Sequence, residues 1–514
     1  MIELPSFQFD RFLKPILASR FLTISAVVHL FLILLLGRMV LFNKYVEPPD
    51  FTSNGDGMVS TDTAAPPAPE PAAALPPTST DPASNAPPPP AAPSMMALVS
   101  LNPSAATFSV PMPAIAPPTI GKDVAAQMAP QTNSAPVTLP PAMAQRQAAK
   151  RVATGHRFGE KAPAEQAVSR ALQWLQTQQA ADGTWGSGVY KEGYTGLALL
   201  CYLGHGETPQ TSRDFSVVVS NAINALVAEG QQQEGRFAPG GNLKKGNETA
   251  YEHAICTYAL SEAYTMTKDP RLEPLVRQAV DIIVKGQRED GGWTYKYDTA
   301  PDKPKEREYK SDTSVSGWQI QALKAAHLTG IDGMEQTVRP VLDNAMKNMD
   351  RVFNPQDGTY GYRVSGDTFD AKTNARRHNL TGVGVLSKLF WLGRVDRDTR
   401  AAIKDIQSTA MNYNGPDADI YAWYYDTQAC FQAQGSAWDW WNSRFQDMLT
   451  SAQTTDGSWP PVGAKSGPGD MNNSAAGDGP IYRTTLCCLM LEVFYRYLPT
   501  SEGGGMQSGN VEGL

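Results

Sequence analysis

The chain has 514 residues, 18% of them charged, and a formal net charge of −7. Acidic and basic residues alternate without forming the basic stripe that a phosphate backbone requires, so nucleic acid is excluded as an expected partner. The five cysteines, Cys201, Cys256, Cys430, Cys487 and Cys488, each sit in an apolar run without a CxxC pair, which predicts buried thiols rather than a disulfide frame or zinc site.

In chain order, residues 1–20 are a short segment ahead of FLTISAVVHLFLILLLGRMVLF, residues 21–42. That run makes roughly 33 Å of helix, enough to cross a bilayer core, and no small-x-small cleavage site follows it. An uncleaved transmembrane helix is therefore expected, with a cleavable signal peptide as the rival. Arg11, Lys14 and Arg20 precede the span and Arg38 and Lys44 follow it, a bias that places the N-terminus in the cytoplasm. The chain then reads as a single-pass inner (cell) membrane protein whose bulk is periplasmic. Ser25 and His29 stack on one face of that helix, and an ionisable group at such depth reads as functional unless it is tolerated near the interface.

Residues 43–159 read as a disordered linker. Between Thr61 and Ile120 about half the residues are Pro or Ala, and Asp62, Glu70 and Asp81 are the charges. Such a segment buries too little apolar surface to offset its ordering entropy, and it serves as a spacer. With this Pro-rich stretch behind it, the SAVVH run from Ser25 to His29 resembles the N-terminus of TonB-type energy transducers. The resemblance covers about 45 residues and lacks the C-terminal TonB domain. It implies that Ser25 and His29 face an ExbB/ExbD-like motor complex.

From residue 160 a repeat begins. QAADGTW (179–185), QREDGGW (287–293) and QTTDGSW (453–459) share one spacing, QQQEGRF (231–237) and NPQDGTY (354–360) vary it, and NYNG (412–415) marks a degenerate sixth unit. An amphipathic helix precedes each copy: Val168, Ala171, Leu172 and Leu175 fall at i, i+3, i+4, i+7, as do Val276, Ala279, Val280 and Ile283. A helix apolar nearly all round follows each copy. In the motif the Gly accepts a left-handed backbone, the acid bonds free N–H groups and the aromatic ring covers the helix end near the Gln stem. Six outer-inner hairpins over residues 160–499 predict an all-α fold, an α/α toroid, with an open solenoid as the alternative and a flexible tail at 500–514. The Gln-acid-Gly-x-Trp pattern resembles the QW motif of the prenyltransferase and squalene-cyclase repeat superfamily. It is a fastener and speaks for fold, not activity.

In a closed toroid the starts of the inner helices share one mouth. Glu252, His253, Asp312, His378, Tyr421, Trp423 and Arg483 are the candidate ligand-binding residues there, against plain helix capping for Asp312. Trp318, Trp391, Trp423, Tyr424, Tyr425 and Phe431 are candidates to line a greasy cavity, against ordinary core packing. The cyclase resemblance implies a DxDD acid motif. Here the nearest match is DADI (417–420), in which Ile420 replaces the last acid and Asp419 is the candidate catalytic residue, with capping again the plain reading. The Asp-x-Cys zinc site of protein prenyltransferases and the Cys-Gly-Glu-Gln stretch of thioester toroids are absent, and His253 with Cys256 lacks a third ligand, so no cofactor or metal is expected. The expected function is a binding or scaffold module for a hydrophobic ligand or peptide. The alternatives are a terpenoid cyclase or prenyltransferase-like enzyme, and a purely structural envelope protein.

Overall fold

Apolar stripes on one set of helices and apolar surfaces all round on the next dictate two layers, and the computed structural model has them. It describes residues 137–187, 190–237, 250–295, 297, 311–365, 368–369, 378–393, 395–415, 418–462 and 478–499. A 3-10 helix, Pro141–Arg146, leads into α1 (Ala148–Arg157). The outer helices are α2 (Ala162–Gln178), α4 (Ser216–Gln232), α6 (Leu272–Gly286), α8 (Met334–Val352), α10 (Arg397–Ser408) and α12 (Gly435–Ala452). The inner helices are α3 (Lys191–His205), α5 (Ala250–Thr267), α7 (Thr313–His327), α9 (Thr381–Leu392), α11 (Ile420–Ala433) and α13 (Gly479–Leu491), followed by the single turn α14 (Val493–Arg496). A two-residue hairpin, β1 (Val364–Ser365) with β2 (Thr368–Phe369), interrupts the all-α pattern in the loop between α8 and α9.

The inner helices form a closed ring. Each packs on the next from α3 through α13, and α13 packs back on α3. Outside them α12 packs on α2, so the outer layer also meets across the start and end of the chain. The open solenoid is thereby overturned. The outer helices bury one stripe, such as Val168, Ala171, Leu172 and Leu175 on α2, whereas α7 is buried from Thr313 through Ala326.

The repeated motifs hold this ring by hydrogen bonds. Gln179 Nε2 donates to Gly183 O of its own turn (3.0 Å) and to Val218 O on the next outer helix (2.9 Å). Gln287 does the same to Gly291 O and Val341 O, both at 2.8 Å. Gln453 donates to Gly457 O and to Ala167 O, both at 2.9 Å, and since Ala167 lies on α2 the last motif fastens the ring shut. The indole N–H groups of Trp185, Trp293 and Trp459 cap carbonyls at the end of the preceding outer helix, those of Leu175, Ile283 and Leu449. Gly291 shows why the turn needs glycine: its φ is +87°, and a Cβ there would lie 2.1 Å from Asn344 O.

The linker was expected to run to 159, yet residues 141–157 are helical and belong to the toroid. Met143 and Arg146 are fully buried, and Leu498 N donates to Ala142 O (3.0 Å). The expected span at 21–42, with Ser25 and His29, and the tail at 500–514 lie outside the described residues. Among the described residues, no helix is long and apolar enough to cross a membrane. All five cysteines are free and buried.

Candidate functional site

The inner helices begin at one rim, and what lies there is a connected set of tyrosines. Tyr251, Tyr295, Tyr362 and Tyr421 are each half-buried. The rings of Tyr251 and Tyr295 are 5.9 Å apart, and the hydroxyls of Tyr295 and Tyr362 are in contact. The Tyr251 hydroxyl and Ser314 Oγ share a hydrogen bond (2.6 Å), Ser314 Oγ donates to Asp312 Oδ1, and the Tyr421 hydroxyl donates to Ser314 O (3.0 Å). Ser314 thus ties the first turns of α5, α7 and α11 together. Fixing the polar tips leaves part of each ring to water, a surface of apolar faces with little rotamer entropy left to lose.

The carboxylates under this rim are caps. Asp312, fully buried, accepts from Ser314 N (2.8 Å) and Val315 N (3.4 Å) as N-cap of α7, with Arg363 Nη2 3.7 Å from its other oxygen. Asp419 caps α11, accepting from Tyr421 N (2.9 Å) and Ala422 N (3.3 Å), while Asn379 Nδ2 donates to its Oδ2 (3.3 Å). Both oxygens of Asp419 are thus engaged in holding the start of α11 and Asn379. On the same helix, Asp426 has its carboxyl pushed well above the usual range by burial and then by the charges of Asp405 and Asp419. It lies against Gly382 on α9, away from the tyrosine set.

Below the rim the lumen is filled. Trp318 stacks on Tyr424 (5.3 Å, 18°) and meets Tyr425 edge-on (5.8 Å), and Gln321 bonds both tyrosine hydroxyls (3.1 Å each). Deeper still is an ionic layer. Arg146 reaches in from the 3-10 helix and pairs with Glu262 of α5 through two hydrogen bonds (2.6 and 2.9 Å), while the Tyr497 hydroxyl also donates to Glu262. Arg496 Nη2 donates to Tyr258 (2.9 Å), and Lys324 Nζ sits 3.3 Å from the Phe390 ring centroid and 3.5 Å from that of Tyr497.

Several expected site residues belong elsewhere. His253 is fully buried and bridges two layers: Phe237 N donates to Nδ1 (3.2 Å), and Nε2 contacts Ala279 O of α6 (3.0 Å). It fills the place that Thr195, Ser316 and Thr484 take under Trp185, Trp293 and Trp459, where a hydroxyl accepts the aromatic residue's N–H. Burial lowers its pKa to about 4, so the ring is neutral. Trp423 is buried with its ring 6.3 Å from Tyr413, beside the outer layer, because Tyr421, Tyr424, Tyr425 and Gln428 take the lumen face of α11 at i, i+3, i+4, i+7. Trp391 donates to Asp343 on α8, and Phe431 packs edge-on to Phe158 and Trp438, so neither lines the lumen. Arg483 is buried, with Nε donating to Trp459 O (3.1 Å). Glu252 is buried beside Gly193 at the start of α3, near the rim. The side chain of His378 lies outside the described residues. Ser314, Tyr251, Tyr295 and Tyr362 stand in no motif of the sequence.

At the other end, a cavity of about 1150 Å³ opens beside Arg151, His205, Glu207 and Phe215. The His205 ring lies between Glu207 (2.7 Å) and Glu165 (3.2 Å). Those bonds raise its pKa against the opposing effect of burial. Among the described residues, no group of three or more His, Cys, Asp or Glu is arranged to hold a metal ion.

No family model matches the chain, and no curated protein sequence does. Solved structures similar to it include an inactive variant of the α-1,6-mannanase GH76A of Salegentibacter sp. HEL1_6 in complex with α-1,6-mannotetrose. It has 11% identity and a TM-score of 0.45, over 65% of this chain and 99% of that one. Another is the type II terpene cyclase MstE from Scytonema (11%, 0.39, 64% and 98%), and a third is an unsaturated glucuronyl hydrolase specific for heparin (14%, 0.42, 65% and 96%). At such identities and scores, the chain's own helix contacts carry the fold, and function is argued from its own residues.

Proposed function

We propose that residues 137–499 form a binding module that takes a peptide across the tyrosine rim. On this reading the Pro/Ala segment carries the module outward from a membrane anchor, and Ser25 and His29 dock that anchor on an ExbB/ExbD-like complex. The observation that supports the peptide is the rim itself: part-exposed rings, of which Tyr251 and Tyr421 have their hydroxyls already tied through Ser314, lose little entropy when a chain with apolar and polar groups lies over them. A greasy isoprenoid is less well served. Its place in the lumen is taken by Trp318, Tyr424 and Tyr425, and Asp419 is engaged as a cap.

Selection of peptides from a random library on the full-length protein in detergent tests the reading. Tyr251→Ala and Tyr421→Ala should each weaken the selected peptide about tenfold, the usual effect of truncating an aromatic anchor. Conversion of a polyprenyl substrate that Asp419→Asn abolishes would establish the cyclase alternative instead. Peptide binding that ignores both tyrosine changes but is lost with Phe215→Ala would move the site to the cavity at the other end. For the anchor, His29→Ala should reduce co-purification of a motor complex, and unchanged co-purification would remove that part of the proposal.

A further inference from the structure

The inner ring closes where its first helix meets its last, and two cysteines face each other across that seam. Each of the other joints connects inner helices that follow one another in the chain, whereas α3 and α13 lie at opposite ends of it. Thr485, Cys488 and Glu492 fall at i, i+3 and i+7 on the side of α13 that meets α3. Cys201 Sγ of α3 donates to Thr485 O (3.4 Å), and a Cβ added at Gly204, one turn on, would lie 2.3 Å from Glu492 Oε2. Cys488 sits between these two contacts. Its thiol donates to Glu492 Oε1 (3.5 Å) and shares a hydrogen bond with the thiol of Cys201. Both are free thiols in this structure, and both are fully buried.

The other three cysteines are placed elsewhere. Cys256 Sγ donates to Glu192 O (3.2 Å), Cys430 lies near Asp426, and Cys487 lies near Arg483. The contact with Cys201 is therefore specific to one thiol of the adjacent Cys487 and Cys488. A disulfide needs Cα atoms within about 7 Å of each other. Gly204 has no side chain to hold α3 away from α13, and passing from thiol contact to a bond costs two weak S–H hydrogen bonds and a rotation of each side chain. The loop so closed contains nearly the whole toroid. Long loops are the case in which a cross-link removes most entropy from the unfolded chain.

We propose that Cys201 and Cys488 form a disulfide that closes the inner ring covalently when the chain folds in contact with a thiol–disulfide oxidant. The supply of that oxidant rests on the extracytoplasmic reading given above. Burial raises both thiols above their ordinary range, so the folded ring presents no reactive thiolate and the bond forms while the seam is still open. One cysteine thiolate attacks a sulfur of the oxidant's disulfide, whose S–S bond breaks and releases a thiolate. The second cysteine thiolate then attacks the mixed disulfide, and the other oxidant sulfur leaves. The two cysteines give up two electrons, the oxidant is reduced to two thiols, and the protons of the cysteines end on them.

The test refolds full-length protein from urea in detergent into a buffer of glutathione and glutathione disulfide, then alkylates it and maps the unreduced peptides by mass spectrometry. Peptides joined at Cys201 and Cys488 are expected, with Cys256, Cys430 and Cys487 alkylated. The linked protein should melt about 5 °C above the same protein refolded in reductant. Cys487→Ala should keep the link, and Cys488→Ser should remove both the link and the difference in Tm. Five alkylated cysteines, or a link through Cys487, overturns the proposal. Should Cys488→Ser fail to fold, the peptide map of the wild-type protein still decides. Protein from cells quenched in acid and alkylated under denaturing conditions tests the compartment separately. A link that forms on refolding but is missing from the cells would leave the bond standing and remove the extracytoplasmic reading.

Discussion

Single residues carry the motif's constraints. Gly291 couples a left-handed φ to a backbone contact that a methyl group cannot share. Gly291→Ala should therefore lower stability by at least about 2 kcal/mol in urea unfolding. A change no larger than that of an exposed Gly→Ala would mean the turn relaxes. His253 makes the toroid acid-sensitive. Its folded pKa of about 4 lies below the ordinary 6.5, so the unfolded chain binds more protons between those values. Stability from this group is present above pH 6.5 and is lost as pH falls through 4. His253→Leu should be less stable at pH 7, having lost both bridging bonds, but should show a shallower decline from pH 6.5 to 4. The same acid limb in both proteins would place the titrating group elsewhere.

At the level of helices, the hairpin pattern was legible because period and punctuation agree. A 3.6-residue apolar stripe marks an outer helix, and the Gln-acid-Gly-aromatic turn marks where it stops. The motif's second reach, from each Gln to the neighbouring outer helix, is a tertiary contact that spacing cannot reveal, and closure through Gln453 to Ala167 is one instance of it. Gln453→Leu should cost about 1–2 kcal/mol, the loss of the two part-buried bonds it donates and of the two that its Oε1 accepts from Arg170. If closure matters, exchange of α2 amides should rise more in Gln453→Leu than in Gln287→Leu; identical α2 protection would show that the clip contributes nothing local. The inner helices were harder to read. A helix apolar all round gives no phase, so Trp423 looked as well placed as Tyr421 for the lumen, and only the packing of α11 separates them. The interruptions Glu262 and Lys324, charges inside otherwise apolar runs, were the available signal for the ionic layer.

For the molecule as a whole, the boundary at 160 failed for a physical reason. The sequence from 137 to 159 shows no strong apolar stripe, and its anchors are scattered: buried Met143, the Ala142 carbonyl under Leu498 N, and Arg146 reaching Glu262. Removing residues 1–159 should therefore destabilise the toroid by about 3–5 kcal/mol relative to removing residues 1–136, because Glu262 stays buried without its cation. Equal Tm values for the two truncations would contradict this. The stacked aromatic layer of Trp318, Tyr424 and Tyr425 is why binding is assigned to the rim and not to the interior. The most direct measurement is a crystal structure of the protein bound to a peptide from the library selection. The account predicts a ligand lying over Tyr251, Tyr295 and Tyr421 with Trp318 and Tyr424 still stacked beneath it. Ligand density inside the ring, with those two rings displaced, would contradict it.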